Sequence, residues 1–197
     1  MKKIFLLMTI LSVSLLTFGQ EKKRLKEVGL VFSNLDEFGF VYKVGHEKSM
    51  WRFNVISLNN SKSDVEEVGE MDKEYKNTGF NFSLGKEYYS PLTSKFQFKY
   101  GWDVFYRFSN HKEKDVVNNL WTKANKLENK SKYYGVNFIL GVNYPINDHI
   151  VLGAEVTPAF SWDKTTREVN DEKIYEDKGH SWGFSNNHAR ITLAYRF

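Results

Sequence analysis

Residues 95–108 read KFQFKYGWDVFYRF. Phe96, Phe98, Tyr100, Trp102, Val104, Tyr106 and Phe108 alternate with Lys95, Gln97, Lys99, Gly101, Asp103, Phe105 and Arg107. A period of two is the strand period, because successive side chains leave opposite faces of the backbone. This stretch outruns the roughly 5–6 residues of an ordinary globular strand and the ~9–11 that cross a bilayer at a tilt. The same alternation runs through 77–88, 133–144, 149–162 and the C-terminal residues that set Ala189, Ile191, Leu193, Tyr195 and Phe197 against His188, Arg190, Thr192 and Arg196. Three shorter stretches, 27–34, 38–45 and 50–58, come first; in the third, Ile56 and Leu58 fall on the polar face. The pattern predicts eight strands and an all-β chain.

The two faces differ in kind. Every strand aromatic except Phe105 and Tyr133 lies on the apolar face, whereas Gly29, Gly39, Gly45, Gly79, Gly85, Gly101, Gly135, Gly141 and Gly153 lie on the polar one. Apart from Lys86, the charged side chains follow the glycines. An eight-stranded barrel has an interior only just wide enough for side chains to fill. It has no room for that many rings, but small residues and paired ions fit. The apolar face must therefore point outward, into lipid. A soluble lipocalin-like ligand-binding barrel would reverse the faces, and a soluble β-sandwich would carry shorter strands with polar outer faces.

Composition adds an address. Lys2 and Lys3 precede an uncharged apolar run, Ile4 to Phe18, which gives way at Gly19-Gln20 to a charged segment. That is the layout of a secretory signal peptide, and the run is short for a spanning helix of ~20 residues. We expect a signal peptide over 1–19, a short periplasmic tail over 20–26 and a barrel domain over 27–197. Without Lys2 and Lys3 the net charge falls from +4 to +2, so the basic balance is no nucleic-acid footprint. The chain has no cysteine, which excludes a disulfide framework and a thiolate nucleophile. No later apolar run can cross a membrane as a helix, so a closed barrel is the remaining way to satisfy backbone groups in lipid.

The connections alternate too. Those at 46–49, 89–94 and 145–148 are short; those at 59–76, 109–132 and 163–184 are long; the first outer one, 35–37, is short for its side. Short periplasmic turns with longer external loops are the pattern of bacterial outer-membrane barrels. With this pattern, the signal-like N-terminus and a last strand ending Ala194-Tyr195-Arg196-Phe197, the chain resembles small bacterial outer-membrane β-barrels of the OmpA/OmpX type, in particular a Bacteroidota-type outer-membrane barrel family. The resemblance implies an eight-stranded antiparallel up-and-down transmembrane barrel in the cell outer membrane, monomeric, with a filled lumen. Its implied partners are outer-membrane lipid and lipopolysaccharide, and the barrel-insertion machinery, which would read the C-terminal strand; nucleic acid is not among them. It implies a structural or surface-interaction role, and no cofactor.

Candidate sites follow from parity. Lys43, Arg52, Lys95, Lys99, Arg107, Arg190 and Arg196, with Glu87, Asp103 and Glu155, point inward, and buried ions must be paired or hydrated. We read them as a salt-bridged plug, with Glu87 meeting Lys95 across the turn and His149 and His188 as hydrogen-bonding neighbours. The cations outnumber the anions, so some must face water or an anion; a narrow anion path is the functional alternative. Tyr88, Phe96, Tyr144, Tyr195 and Phe197 would mark the periplasmic interface, and Phe80, Tyr106, Phe108, Tyr134, Phe160 and Trp162 the outer one. Lys86 sits near a strand end, where it can snorkel. No histidine spacing suggests a metal site. Ser181 beside His180, in an outer loop, is the best candidate for a lipid-modifying enzyme, though a base and nucleophile must lie within hydrogen-bond reach. Val117, Leu120, Trp121, Ala124 and Leu127 have helical spacing, which predicts a short loop helix.

Overall fold

The computed structural model describes residues 24–33, 37–65, 73–115, 126–183 and 189–197. The strands are β1 (Leu25–Ser33), β2 (Glu37–His46), β3 (Ser49–Val65), β4 (Lys73–Pro91), β5 (Gln97–Asp115), β6 (Lys126–Pro145), β7 (Ile150–Val156), β8 (Ala159–Val169), β9 (Glu172–Gly183) and β10 (Ala189–Arg196). All neighbours are antiparallel, and β1 pairs with β10, closing an eight-stave barrel. Lys26 and Phe197 exchange backbone hydrogen bonds at the closing seam. β1 thus starts ahead of the expected domain start at Glu27.

Ten segments make eight staves because two staves are interrupted. β7 and β8 are one stave: Leu140 faces Val156 and Asn137 faces Ala159 with no change of register. Pro158, between them, accepts from the Phe138 N–H but has no N–H to return. β9 and β10 form the eighth stave, on either side of residues 184–188, which are not described. In β3 the register slips between Ile56 and Leu58, a bulge that leaves Ser57 unmatched. This explains why Leu58 broke the predicted parity, since beyond the bulge it stands opposite Phe80; Ile56, before the bulge, keeps the polar-face register opposite Asn81.

The short turns lie where the alternation ends. At 146–149 the Asn147 carboxamide oxygen accepts from the N–H groups of His149 and Ile150, an Asx turn. At 92–95 Thr93 Oγ1 accepts from the N–H groups of Lys95 and Phe96.

The opposite end corrects the expectation. The stretches read as long loops are mostly strand. β3 and β4 pair out to Val65↔Lys73, β5 and β6 to Lys114↔Lys126, and β8 and β9 turn at Asn170-Asp171. Asn170 and Asp171 both have positive φ (52° and 68°), the signature of a tight two-residue hairpin turn. Leu127 lies in β6 rather than in a loop helix, and Val117 to Ala124 lie outside the described residues. β2 pairs with β3 only up to Gly39↔Ile56, and β9 pairs only with β8. The barrel therefore carries a tall six-stranded wall, β3–β4–β5–β6–β8–β9, rising on one side above the shorter β1–β2 hairpin.

Candidate functional site

The lumen is where the chain's chemistry converges. Its centre is Arg52, on β3, opposite β7 across the barrel. Its guanidinium forks onto Glu155, Nη1 donating to Oε2 at 3.0 Å and Nη2 to Oε1 at 2.8 Å. Nη1 also donates to Glu87 at 3.2 Å, and Nε lies 3.6 Å from Asp103. A planar fork meeting a carboxylate is the strongest form of charged hydrogen bond. Lys99 adds a second cation to Glu155 at 2.7 Å, and Lys43 joins Glu87 to Glu27. Tyr89 donates its hydroxyl to Glu87. Asn137 donates to Asp103, and Asn54 bridges Ser83 and Arg52.

Glycines set the geometry of these pairs. Arg52, Gly85 and Asp103 stand in register on three neighbouring strands, as do Lys99, Gly141 and Glu155. Each ion pair thus reaches over a strand that presents no side chain. A Cβ on Gly85 would stand 2.0 Å from the Trp102 carbonyl oxygen, and one on Gly141 would stand 2.3 Å from that of Ala154.

The structure buries Lys43, Arg52, Glu87, Lys99, Asp103, Glu155 and Arg190 together inside the barrel. Arg196 lies at the lower rim, where Nε and Nη2 both donate to Glu27 Oε1. Lys95 corrects its assignment: it is exposed in the 92–95 bend, because its strand begins at Gln97, and Glu87 pairs elsewhere. Arg107 points inward but lies above the plug, where the lumen is open to water. His188 lies outside the described residues. His149 sits in the lower turn, its ring 5.4 Å from that of Tyr195. The sequence reading missed Glu27, which is fully buried; its parity with Gly29 was the available signal. With Glu27 added and Lys95 and Arg107 set aside, Lys43, Arg52, Lys99, Arg190 and Arg196 meet the four carboxylates Glu27, Glu87, Asp103 and Glu155, so the excess of positive charge falls to one.

The outer face carries the rings. Phe98, Trp102 and Phe138 are exposed, Phe138 by 56%, while Lys99 and Asp103 are fully buried. The ring clusters fall at two levels. At the lower one Phe96 lies 5.1 Å from Tyr144, Tyr88 lies 5.5 Å from Tyr100, and Tyr195 adjoins Phe197. At the upper one Phe80 lies 5.6 Å from Phe108 and 5.8 Å from Tyr106, Tyr134 lies 5.8 Å from Trp162, and Phe160 meets Trp162 edge-on at 4.7 Å. Lys86 Nζ sits over the rings of Trp51 and Tyr88, at 5.4 and 5.5 Å. Beyond the upper rings the outward face changes abruptly to Thr78, Asn110, Lys132 and Lys164.

His180 and Ser181 are adjacent in β9, not in a loop, and so leave opposite faces of the sheet. Ser181 Oγ lies 2.9 Å from Ser161 Oγ, and His180 stacks toward Phe160. This arrangement does not bring the two together as nucleophile and base. Among the described residues no group of His, Asp and Glu is placed to hold a metal ion, and no helix is long and apolar enough to cross a membrane.

No family model matches the chain. A UDP-N-acetylmuramoylalanine–D-glutamate ligase of Clostridium botulinum is 33% identical over 86 residues, which are 44% of this chain and 15% of that protein. So local a match shows no family. In three dimensions the chain is similar to a major outer membrane protein from Thermus thermophilus, with 16% identity, 89% of this chain and 100% of that one covered, and a TM-score of 0.49. It is also similar to the N-terminal β-barrel domain of Pseudomonas aeruginosa OprF, with 10% identity, 90% and 100% covered, and a TM-score of 0.39. Neisserial surface protein A is a further likeness, at 10% identity, 88% and 93% covered, and a TM-score of 0.31. At these values the likenesses carry no argument about function. The barrel's own two faces do.

Proposed function

We propose that the chain is a small integral outer-membrane β-barrel, with a plugged polar lumen and a structural or surface-interaction role carried by its tall outer wall. The observation that carries this is the inversion of the barrel: ions and amides inside, a belt of rings outside, and a sharp change to polar side chains above the upper rings. At about 3.3 Å per residue and a strand tilt near 40°, the stretch from Tyr134 to Tyr144 rises about 25 Å, the height of an outer-membrane apolar band. In water such a belt would be an aggregation surface far above the few hundred Å² a soluble monomer tolerates. Export on a leader over 1–19 and contact of the belt with outer-membrane lipid belong to the same proposal.

Fractionation of cells expressing the full chain tests it. The protein should sediment with outer membranes and require detergent for release. Recovery as a monomer in the periplasmic soluble fraction, without detergent, would overturn the reading.

A further inference from the structure

Above the plug the lumen holds a small pocket of about 80 Å³, open to solvent, and lined by Arg190, Arg107, Asn81, Asn137, Tyr133 and Ser161 among others. Arg190 is the feature that sets this pocket apart. It is only 7% exposed, yet neither Nε nor Nη1 has a hydrogen-bond partner. A guanidinium carries five donors and cannot shed its charge, and a buried charged donor left unmade is costly.

Its neighbours cannot fill the gap. Glu155 is opposite Arg190 in register, but its oxygens are taken by the Arg52 fork and Lys99, and Arg190 Nη1 stands 3.9 Å away. Asp103 is held by Asn137, Ser83 and Arg52. The second cation, Arg107, lines the same pocket and is exposed. Asp163 is in line with Tyr133 higher on the wall, and is the carboxylate an incoming anion would pass.

We propose that this pocket is a binding site for a small oxyanion of the phosphate or carboxylate class, entering from the open mouth, with Arg190 and Arg107 as its charge partners and Asn81 and Tyr133 as neutral donors. Arginine's fork fits such groups two oxygens at a time. The plug beneath closes the route onward, so the site holds its ligand rather than conducting it. The site follows from the lumen's geometry and not from where the protein resides.

The test uses the full chain folded in dodecyl maltoside, which carries no anionic headgroup, titrated with inorganic phosphate by calorimetry at constant ionic strength set with chloride. Saturable binding is expected. Arg107→Gln, at an exposed position that leaves the plug intact, should weaken it by about tenfold, the worth of one charge-assisted contact. Arg190→Gln should remove saturable binding while heat-modifiable gel migration still reports a folded barrel. Lys164→Gln, on the outer face, should leave it unchanged. Displacement of phosphate by short-chain phosphatidic acid would assign the site to a lipid-borne phosphate; failure to displace would assign it to a soluble anion. No saturable binding to the folded barrel would overturn the proposal, as would equal affinity in wild type and Arg107→Gln.

Discussion

Arg52 shows what one buried side chain does in this barrel. It touches three of the four carboxylates of the plug and bridges two staves that face each other across the lumen. Removing it leaves Glu155 and Glu87 buried with fewer partners. Breaking a buried pair from one side costs about 3–5 kcal/mol, more than the pair's net worth when intact. Arg52→Ala should therefore lower stability by that order, read from urea unfolding in detergent micelles. Arg52→Lys keeps the charge but not the fork, and should lose less. Equal stability of wild type and Arg52→Ala would mean that the network is not what holds the staves in place. Parity made Arg52, Glu87 and Glu155 legible as inward ions. Their pairing was not legible, because it depends on which staves face each other after closure, and on Gly85 and Gly141 clearing the path.

At the scale of elements, strands were legible where one face is apolar and illegible where both are wet. The upper halves of β4, β5, β6, β8 and β9 carry ions on both faces, so no period of two stands out, and they read as loops. What holds them is the backbone ladder and ionic cross-links: Lys130 bridges Glu128 and Glu168, Lys73 reaches Glu113, and Lys164, Lys173 and Lys178 gather on Glu176. Asn170-Asp171 was the one local signal that a hairpin, not a loop, joins β8 and β9. The ammonium groups of Lys173, Lys178 and Lys164 hold the Glu176 carboxyl down from 4.5 to about 2. Burial pushes Glu128 up, but hydrogen bonds from Asn110, Lys112 and Lys130 outweigh it and keep it below its usual range. Both groups lie above the ring belt. A carboxylate whose folded value is depressed adds stability that is complete above its unfolded value and is lost as pH falls through the folded one. The wall should loosen between pH 4.5 and about 2, seen as faster amide exchange in β8 and β9 while β1 and β10 stay protected. Uniform exchange across all strands on acidification would contradict this. High salt should weaken the same exposed pairs, which are individually worth little.

At the scale of the whole molecule, a filled lumen and an exposed belt are two results of one constraint. A barrel of eight staves cannot hold rings inside, so the rings go out, and lipid is the solvent in which that arrangement is stable. The ions left inside must then pair with one another, and among the described residues four carboxylates meet the five cations Lys43, Arg52, Lys99, Arg190 and Arg196. The Arg52–Glu155 fork spans the cross-section, Lys99 and Lys43 close its flanks, and Ile139 and Met50 fill space beside them. Such a layer, while intact, should block the passage of solutes. The full chain in planar bilayers should show no steady conductance, although the mouth above is open to water. Removing both ends of the fork, Arg52→Ala with Glu155→Ala, empties the middle of the layer and leaves Lys99 and Glu87 to draw in water. That double variant should pass ions. A steady current through wild type would show that the plug moves aside in the membrane. A silent double variant whose fold is intact would place the seal at a different layer of side chains.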